Sequence, residues 1–285
     1  MFLAAGHYPV TMKFVSLALL SALLLLGCGS DDDEPVSGPV SCKRGLAWNG
    51  RAATSPELSR LAFWYNWSAD AEAVAEGLEF VPMVWGGGFD DARIAQGLRP
   101  DARFLLGFNE PNFFEQANLS AVEAAALWPR LEAIADQHGL ALVSPAVNFC
   151  GDDAASTGPC HDTNPVDYLT EFFAQCQGCR VDHVAVHWYN CDRESLEWYL
   201  GQFETFGKPI WLTEFACAYG GDTSPAGQVA YMREAIPFLE SAPSVYRYAW
   251  FSGDPLPNAR LVNDTGALTS LGETYLELAG ESCAP

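Results

Sequence analysis

The feature that most constrains this chain is a repeat of short apolar runs, each followed by a polar or helix-like stretch. Eight runs rich in β-branched and aromatic residues are the predicted strands, at 44–49, 61–67, 80–85, 104–110, 141–147, 181–189, 209–215 and 246–251. Segments with helical periodicity separate the later strands, at 119–138, 165–176, 194–206 and 226–239. Strands that alternate with helices pair in parallel. Eight units in about 240 residues predict an α/β fold, a single-domain closed (β/α)₈ or TIM barrel.

Two nucleotide-binding alternatives lack their signatures. No Gly-x-Gly-x-x-Gly follows the first predicted strand, so a dinucleotide-binding fold loses its main support. The run Gly86-Gly87-Gly88 lacks the Lys-Ser/Thr of a phosphate loop, and we interpret it as a turn that lets a ligand approach the backbone. The formal net charge of −21 argues against nucleic acid, whose phosphates would be repelled, and favours a neutral partner.

The N-terminal residues predict export. Lys13 precedes an apolar run at 14–26, which is shorter than the about 20 residues of a membrane-spanning helix but typical of a signal peptide. The run ends at Leu25-Leu26-Gly27-Cys28, which resembles a bacterial lipobox in which Cys28 becomes lipidated. An ordinary signal peptide with a chance cysteine is the alternative interpretation.

The domain organisation follows from this pattern. We predict a lipoprotein signal peptide at 1–27. Met12-Lys13 is a more typical beginning for such a peptide than Met1, so we interpret 1–11 as an extension from a wrongly assigned start codon. A lipidated cysteine and flexible tether at 28–41 follow, and then a catalytic domain at 42–285. The expected location is a bacterial outer membrane or cell surface, with the periplasm or the extracellular space as the alternative. We expect the lipid to be the only membrane contact and the protein to be a monomer.

Eight cysteines remain if Cys28 carries lipid. An even set in an exported domain predicts disulfides. The candidate pairs are Cys42–Cys283, Cys150–Cys160, Cys176–Cys179 and Cys191–Cys217, among many possible connectivities. Cys176 and Cys179 also match half of a zinc site, but no second pair with ligand spacing accompanies them, so we predict no metal.

Polar and aromatic residues gather where the predicted strands end. In a closed α/β barrel, the functional site lies at the carboxyl ends of the strands. Twelve residues occupy or closely follow those ends: Trp48, Asn49, Trp67, Trp85, Asn109, Glu110, Asn148, His187, Trp188, Tyr189, Glu214 and Trp250. We expect most of them to line one rim, although a tryptophan or His187 in such a position is also compatible with core packing.

Two carboxylates at this rim predict the chemistry. Glu110 ends the fourth predicted strand and Glu214 lies at the end of the seventh, and a carboxylate at the end of a buried strand is costly unless it is paired or used. Cleavage of a glycosidic bond needs a proton donor and a second carboxylate, and a separation of about 5 Å leads to retention of configuration. We expect the negative charge of Glu214 to keep Glu110 protonated as the acid.

Two segments carry a family resemblance. Leu106-Gly107-Phe108-Asn109-Glu110-Pro111-Asn112 and Trp211-Leu212-Thr213-Glu214-Phe215 resemble the catalytic strands of the large clan of (β/α)₈ retaining glycosidases. The surrounding segments are similar to glycoside hydrolase family 128, at 44–49, 63–67, 81–86, 144–146 and 184–189. This resemblance spans 43–278, nearly the whole expected domain.

The resemblance implies endo-hydrolysis of β-1,3-glucans, with Glu110 as general acid/base and Glu214 as nucleophile. It also implies that Asn109 contacts the sugar beside the cleaved bond, that His187 and Tyr189 steady the nucleophile, and that Trp250 forms a sugar platform. No metal or cofactor is expected. The chain departs from the family in Cys191 and Cys217, whose bridge would narrow or rigidify the cleft and leaves endo or exo action open.

Two other functions stay open. The same barrel is able to hydrolyse another β-linked neutral glycan, and a non-catalytic surface lipoprotein would bind glycan without cutting it. The presence of both glutamates favours an enzyme, because binding alone does not require them.

Overall fold

The computed structural model describes residues 41–48, 56–71, 77–151 and 159–280. The predicted signal peptide, the lipidated Cys28, Asn49 and Cys283 lie outside these ranges. Among the helices within these ranges, none combines the length and apolar character needed to cross a membrane.

Eight parallel strands form one sheet within the described residues, which confirms the predicted number and direction. They are β1 (Arg44–Ala47), β2 (Phe63–Tyr65), β3 (Glu79–Phe80), β4 (Phe104–Leu106), β5 (Ala141–Val147), β6 (His183–Asn190), β7 (Ile210–Tyr219) and β8 (Val245–Phe251). Their order in the sheet is β3-β2-β1-β8-β7-β6-β5-β4. The first and last strands of the chain are therefore neighbours, and β3 and β4 are the outer strands.

The sheet is curled so that its outer strands meet. The N–H of Val84 donates to the carbonyl of Leu106, and the N–H of Leu106 donates to the carbonyl of Pro82, both at 2.9 Å. Met83 and Leu106 also form a parallel bridge. The segment that follows β3 is thus hydrogen-bonded to β4.

Several strands are shorter or longer than predicted. The prediction of a strand at 80–85 is wrong in extent, because β3 ends at Phe80, shortly before Pro82, which has no N–H for the ladder. The predicted strands 61–67 and 104–110 also extend too far, because β2 ends at Tyr65 and β4 at Leu106. Trp67 and Glu110, at the predicted ends, have φ angles of 59° and 40°, outside the extended region. In contrast, β7 continues four residues beyond its predicted end, to Tyr219.

Six α-helices accompany the strands in the described ranges. They are α1 (Asp91–Gly97), α2 (Ala121–His138), α3 (Pro165–Gln175), α4 (Arg193–Phe203), α5 (Pro225–Ser241) and α6 (Ser270–Glu277). The four predicted helices correspond to α2–α5, whereas α1 and α6 were not predicted. A capping box begins α2: the Ser120 hydroxyl accepts from the Glu123 N–H at 3.3 Å, and the Glu123 carboxylate accepts from the Ser120 N–H at 2.8 Å.

Side-chain alternation divides the core into two layers. Along β6, His183, Ala185 and His187 point to the concave side of the curled sheet, while Val184 and Val186 pack outward against the helices. A small inner cluster fills the concave side with Ala47, Phe63, Tyr65, Val81, Met83, Phe104, Leu106, Val143, Ala146, Ala185, Trp211 and Ala249. The larger outer cluster joins the sheet to the helices.

Three predicted disulfides are confirmed. Cys150–Cys160, Cys176–Cys179 and Cys191–Cys217 are bonded, with Cα–Cα distances of 6.1, 5.3 and 4.4 Å. The zinc interpretation of Cys176 and Cys179 is therefore wrong, because their sulfurs are bonded to each other. The fourth predicted pair, Cys42–Cys283, includes a residue outside the described ranges.

Candidate active site

Glu110 and Glu214 meet in one cleft at the carboxyl ends of the strands. An oxygen of each carboxylate lies within 4.8 Å of the other, and the two residues are 8 % and 4 % exposed. The cleft has a volume of about 510 Å³. Its lining consists of Trp67, Trp85, Asn109, Glu110, Gln116, Tyr189, Glu214, Ala218, Phe251, Gly253, Pro255 and Leu256.

Glu110 enters the cleft through an unusual backbone conformation. Its φ of 40° lies in the left-handed region, which is uncommon for residues other than glycine and costs roughly 1–3 kcal/mol. Hydrogen bonds to β5 hold this conformation: the N–H of Glu110 donates to the carbonyl of Ala146, and the N–H of Ala146 donates to the carbonyl of Phe108, both at 2.8 Å. Consecutive residues of an extended strand point to opposite faces, but this conformation lets both Asn109 and Glu110 line the cleft.

Glu214 enters the cleft through a β-bulge. Val186 is paired with Leu212, and the next residue of β6, His187, is paired with Glu214, so that Thr213 is an extra residue on β7. In a regular strand, Glu214 would point to the same outer face as Leu212, because the two are separated by two residues. The extra residue Thr213 reverses which face the following side chains point to. The bulge consequently turns the carboxylate of Glu214 toward Glu110.

Three neutral donors surround the carboxylate of Glu214. The indole N–H of Trp67 donates to Oε1 at 2.7 Å, and the hydroxyl of Tyr65 lies 3.3 Å from the same oxygen. The hydroxyl of Tyr189 donates to Oε2. Donors of this kind favour the ionised form of a carboxylate. Sequence reasoning missed Tyr65, although its two-residue spacing from Phe63 and from Trp67 predicted that it shares their face.

His187 lies between the two carboxylates and is completely buried. Its Nδ1 is 2.9 Å from Oε1 of Glu110 and 3.4 Å from Oε2 of Glu214. The side-chain amide of Asn148 also donates to Oε1 of Glu110, at 3.3 Å. The group is therefore one connected hydrogen-bond network, and its members influence each other's charge.

The charges of this network are coupled. Burial raises the pKa of Glu214 above its ordinary value. His187 opposes this rise, Glu110 adds to it, and the hydrogen bonds from Tyr189 and Trp67 oppose it, but the pKa stays raised overall. Burial lowers the pKa of His187, but the carboxylates of Glu214 and Glu110 outweigh burial and raise it overall. The two glutamates thus favour the protonated form of His187, and its positive charge opposes the rise in the pKa of Glu214.

Glu110, His187 and Glu214 are also the set of described residues with the spacing of a metal site, because each offers one ligand atom within 4.8 Å of the others. Their ligand atoms are already engaged: Nδ1 of His187 faces both carboxylates, and Trp67 and Tyr189 donate to Glu214. These contacts have the geometry of proton-sharing hydrogen bonds. The arrangement is suited to donating a proton from one carboxylate and attacking from the other.

A second cavity of about 430 Å³ continues from the cleft and shares Trp67 and Trp85 with it. Gly86-Gly87-Gly88 contributes to its lining, as the interpretation of a ligand-approaching turn requires. Trp85 is 42 % exposed, which is unusual for an indole and leaves its surface available to a ligand.

Five predicted rim residues within the described ranges do not line the cleft: Trp48, Asn148, His187, Trp188 and Trp250. Trp250 is completely buried, its N–H donates to the carbonyl of Ala259 at 2.8 Å, and its ring packs edge-on against Phe215. The predicted platform at Trp250 is therefore wrong. Alternation explains this outcome, because Ala249 and Phe251 point inward along β8 and Trp250 points outward.

The same alternation corrects Trp188, which points outward between His187 and Tyr189 and packs against Tyr199 of α4 at 4.7 Å. Trp48 is half-buried, packs against the outer cluster and does not line the cleft. The sequence analysis missed Phe251 as a cleft residue. Its two-residue spacing from the inward-pointing Ala249 would have predicted its inward orientation.

The other cleft residues that the sequence analysis missed lie on loops or beyond the predicted strand ends, where strand periodicity gives no prediction. Gln116 lies on the loop that follows Glu110, and its side-chain oxygen accepts from the amide of Asn109 at 3.3 Å. Gly253, Pro255 and Leu256 belong to the segment after β8. Ala218 lies in the irregular end of β7, beyond the predicted strand.

A family model described as "Glycosyl hydrolase catalytic core" matches residues 45–275. Among curated proteins, Alkali-sensitive linkage protein 1 of Schizosaccharomyces pombe is 29 % identical over 253 residues. The match covers 83 % of this chain and 45 % of that protein, so the chain spans about half the length of this relative.

Solved structures of higher identity cover nearly the whole domain. A GH128 subgroup II endo-β-1,3-glucanase from Sorangium cellulosum is 43 % identical, with a TM-score of 0.74 over 85 % of this chain and 100 % of that chain. A subgroup II endo-β-1,3-glucanase from Pseudomonas viridiflava is 34 % identical, with a TM-score of 0.73 over 85 % and 99 %. A subgroup I enzyme from Amycolatopsis mediterranei, solved with laminaritriose, is 32 % identical, with a TM-score of 0.66 over 82 % and 98 %.

Proposed function

Because this chain belongs to glycoside hydrolase family 128, within the glycosyl hydrolase catalytic-core family, we propose that it hydrolyses β-1,3-glucan by a retaining, endo-acting mechanism. The observation that carries the proposal is the distance of at most 4.8 Å between an oxygen of Glu110 and one of Glu214. Retaining glycosidases have carboxyl groups about 5–5.5 Å apart, whereas inverting enzymes need room for a water molecule. The sheet that carries both residues is, in this proposal, a closed (β/α)₈ barrel.

The reaction proceeds by double displacement. Glu110 protonates the oxygen of the departing sugar while the carboxylate of Glu214 attacks the anomeric carbon and forms a glycosyl ester. Glu110, now deprotonated, removes a proton from the incoming water, and the water oxygen displaces Glu214. Each step inverts the anomeric carbon, so the overall configuration is retained.

The surrounding residues supply the electrostatics of these steps. Trp67, Tyr65 and Tyr189 donate to Glu214, which favours the ionised form of the attacking carboxylate and fixes its direction. His187 balances the charge that moves between the two glutamates, because its Nδ1 lies near both. Once Glu214 is an ester, the imidazole faces Glu110 alone and stabilises its deprotonated form.

Substrate contacts follow from the cleft lining. Asn109 lies beside Glu110 and is positioned to contact the sugar next to the cleaved bond. The aromatic rings of Trp85 and Phe251 offer apolar faces for the C–H groups of a pyranose ring. The second cavity beyond Trp67 and Trp85 supports endo action, because a polymer extends past the reacting sugar.

The test compares the chain from Ser41 onward with its Glu110→Gln and Glu214→Gln variants on laminarin and curdlan. Both variants should lose kcat by roughly 10³-fold or more, because an amide neither donates the required proton nor attacks. Glu115→Gln is the matched control, since Glu115 is an exposed glutamate on the loop after Glu110. NMR of the first-formed product should show the β-anomer.

Other outcomes of this test would contradict the proposal or favour one of the alternative functions. Full activity in either Gln variant contradicts the assigned roles, and an α-anomer as first product contradicts retention. Binding of laminarin without new reducing ends identifies a glycan-binding lipoprotein. Activity on a different β-linked glycan but not on laminarin identifies the alternative specificity, and release of single sugars from chain ends identifies exo action.

We propose, from the sequence of residues 14–28, that the protein is exported and anchored through a lipid on Cys28. The test is incorporation of labelled palmitate in a bacterial host, which a Cys28→Ala variant should abolish. A wild-type protein that remains unlabelled and is released into the medium would contradict the anchor.

A further inference from the structure

The Cys191–Cys217 disulfide lies beside the reacting groups. Cys191 directly follows β6 and is two residues beyond Tyr189, while Cys217 is on β7, three residues beyond Glu214. The hydroxyl of Tyr189 donates to Oε2 of Glu214. The bridge thus joins the two segments that carry this hydrogen bond.

The ladder at this point is irregular. Trp188 is paired with Phe215, and the next recorded pair is Asn190 with Tyr219, so two steps along β6 correspond to four steps along β7. The segment 216–218 therefore has no regular partner residues on β6, and it contains Ala218, which lines the cleft. Irregular pairing leaves the local position of a strand less well determined than a continuous ladder does.

Two side-chain devices hold this segment. On one side, the disulfide bonds Cys217 to Cys191. On the other side lies Gln228 of α5, which is 1 % exposed. Its side-chain oxygen accepts a hydrogen bond from the Cys217 N–H at 3.2 Å, and its side-chain NH₂ group donates one to the Cys217 carbonyl. A buried amide with both groups bonded to one residue fixes that residue firmly.

We propose that the Cys191–Cys217 disulfide is a positioning element of the reaction, which holds the end of β6 against the irregular end of β7 and so keeps the Tyr189 hydroxyl on Glu214. This inference rests on the proposed role of Glu214 as nucleophile. A bridge that only stabilised the fold would alter unfolding and leave the reaction of the folded protein unchanged.

The test is a Cys191→Ala/Cys217→Ala double variant of the full chain, assayed well below its melting temperature. The kcat on laminarin should fall roughly tenfold, because small displacements of reacting groups are costly. The acidic limb of the pH profile of kcat/KM should move to higher pH, since the Tyr189 hydrogen bond lowers the pKa of Glu214. A structural role alone does not move that limb.

Two controls separate positioning from stability. The Cys176→Ala/Cys179→Ala double variant removes another disulfide, at the end of α3, and should keep the wild-type kcat and pH profile. Tyr189→Phe should reproduce the shift of the acidic limb, and adding it to the Cys191→Ala/Cys217→Ala background should cause little further change, because both act through one hydrogen bond.

The inference is overturned if the folded Cys191→Ala/Cys217→Ala variant has the kcat and acidic limb of the wild type, or if its effect multiplies with that of Tyr189→Phe. Should circular dichroism show that this variant does not fold, Cys191→Val/Cys217→Val replaces it, because valine fills more of the volume that the two sulfurs leave. Its acidic limb should shift in the same direction, and an unshifted limb overturns the inference. Full activity of Glu214→Gln would instead refute the proposed function.

Discussion

The indole N–H of Trp67 donates to Oε1 of Glu214 at 2.7 Å, so a residue just beyond β2 orients a carboxylate on β7. Trp67 has a φ of 59°, in the left-handed region where residues other than glycine are uncommon. Such strain persists only where the surroundings compensate for it, and it is concentrated at functional sites. The strained conformation therefore has a direct chemical consequence for Glu214.

Removing this donor should impair the reaction. Trp67→Phe keeps most of the ring but loses the N–H, so the negative charge of Glu214 is less stabilised and its direction is less fixed. We expect kcat on laminarin to fall about 100-fold, at the lower end of the roughly 10²–10³-fold loss typical for removal of one preorganised donor. Trp64→Phe is the control, because the Trp64 N–H donates to the carbonyl of Trp48 outside the cleft. An equal loss of kcat in both variants would refute the specific role of Trp67.

The pH dependence of the reaction should respond to His187. His187 lowers the pKa of Glu214, so a His187→Gln variant should have a higher pKa at Glu214. Glu214 attacks only when ionised, and activity is lost as the pH falls through its pKa. The acidic limb of kcat/KM should therefore move to higher pH.

The control for this variant is Trp188→Phe, since Trp188 is the next residue of β6 but points outward. Its acidic limb should stay at the wild-type pH. A His187→Gln limb that remains in place, or that moves to lower pH, would contradict the proposed interaction.

Although Trp250 and Phe251 are adjacent in sequence, we expect Trp250 to contribute to the stability of the fold and Phe251 to contribute to substrate binding. Trp250→Phe creates a cavity and leaves the carbonyl of Ala259 without its donor, so we expect a loss of roughly 2 kcal/mol of unfolding free energy with a nearly unchanged KM. Phe251→Ala removes a cleft ring and should raise KM for laminarin about tenfold. Urea unfolding and steady-state kinetics measure the two effects. A larger KM effect at Trp250 than at Phe251 would restore Trp250 as a sugar platform.

His183 should make the fold sensitive to acid. Burial lowers the pKa of His183 to about 4, Asp182 opposes this, and Arg247 and Lys208 lower it further. The unfolded chain then binds more protons than the folded chain between pH 6.5 and pH 4, so stability falls as the pH decreases across this range.

The His183→Gln variant should lose less stability between pH 7 and pH 5 than the wild type does, by about 1 kcal/mol after allowing for solvent screening. Urea unfolding at the two pH values measures this difference. Equal losses in the two proteins would show that His183 does not cause the acid sensitivity.

The sequence by itself determined the number of strands, the two acids of the site and three of the disulfides. Apolar runs predicted eight parallel strands, and the confirmed number shows that local hydrophobic pattern was sufficient for this. Glu110 and Glu214 were identifiable because a carboxylate at the end of a buried strand requires a partner or a function. Three disulfides were also predictable, since an even set of cysteines in an expected exported domain favours bonded pairs.

Only the tertiary structure decided which way the side chains point. Alternation along β8 buries Trp250 and presents Phe251, and a simple count of strand-end aromatics misses this distinction. Glu214 reaches the cleft through one extra residue on β7, and Glu110 through a left-handed backbone angle. Bulges and left-handed residues depend on hydrogen bonds with neighbouring strands that are distant in sequence, so local periodicity does not encode them. The chain alone thus specified the two acids, and the packing of its strands brought them face to face.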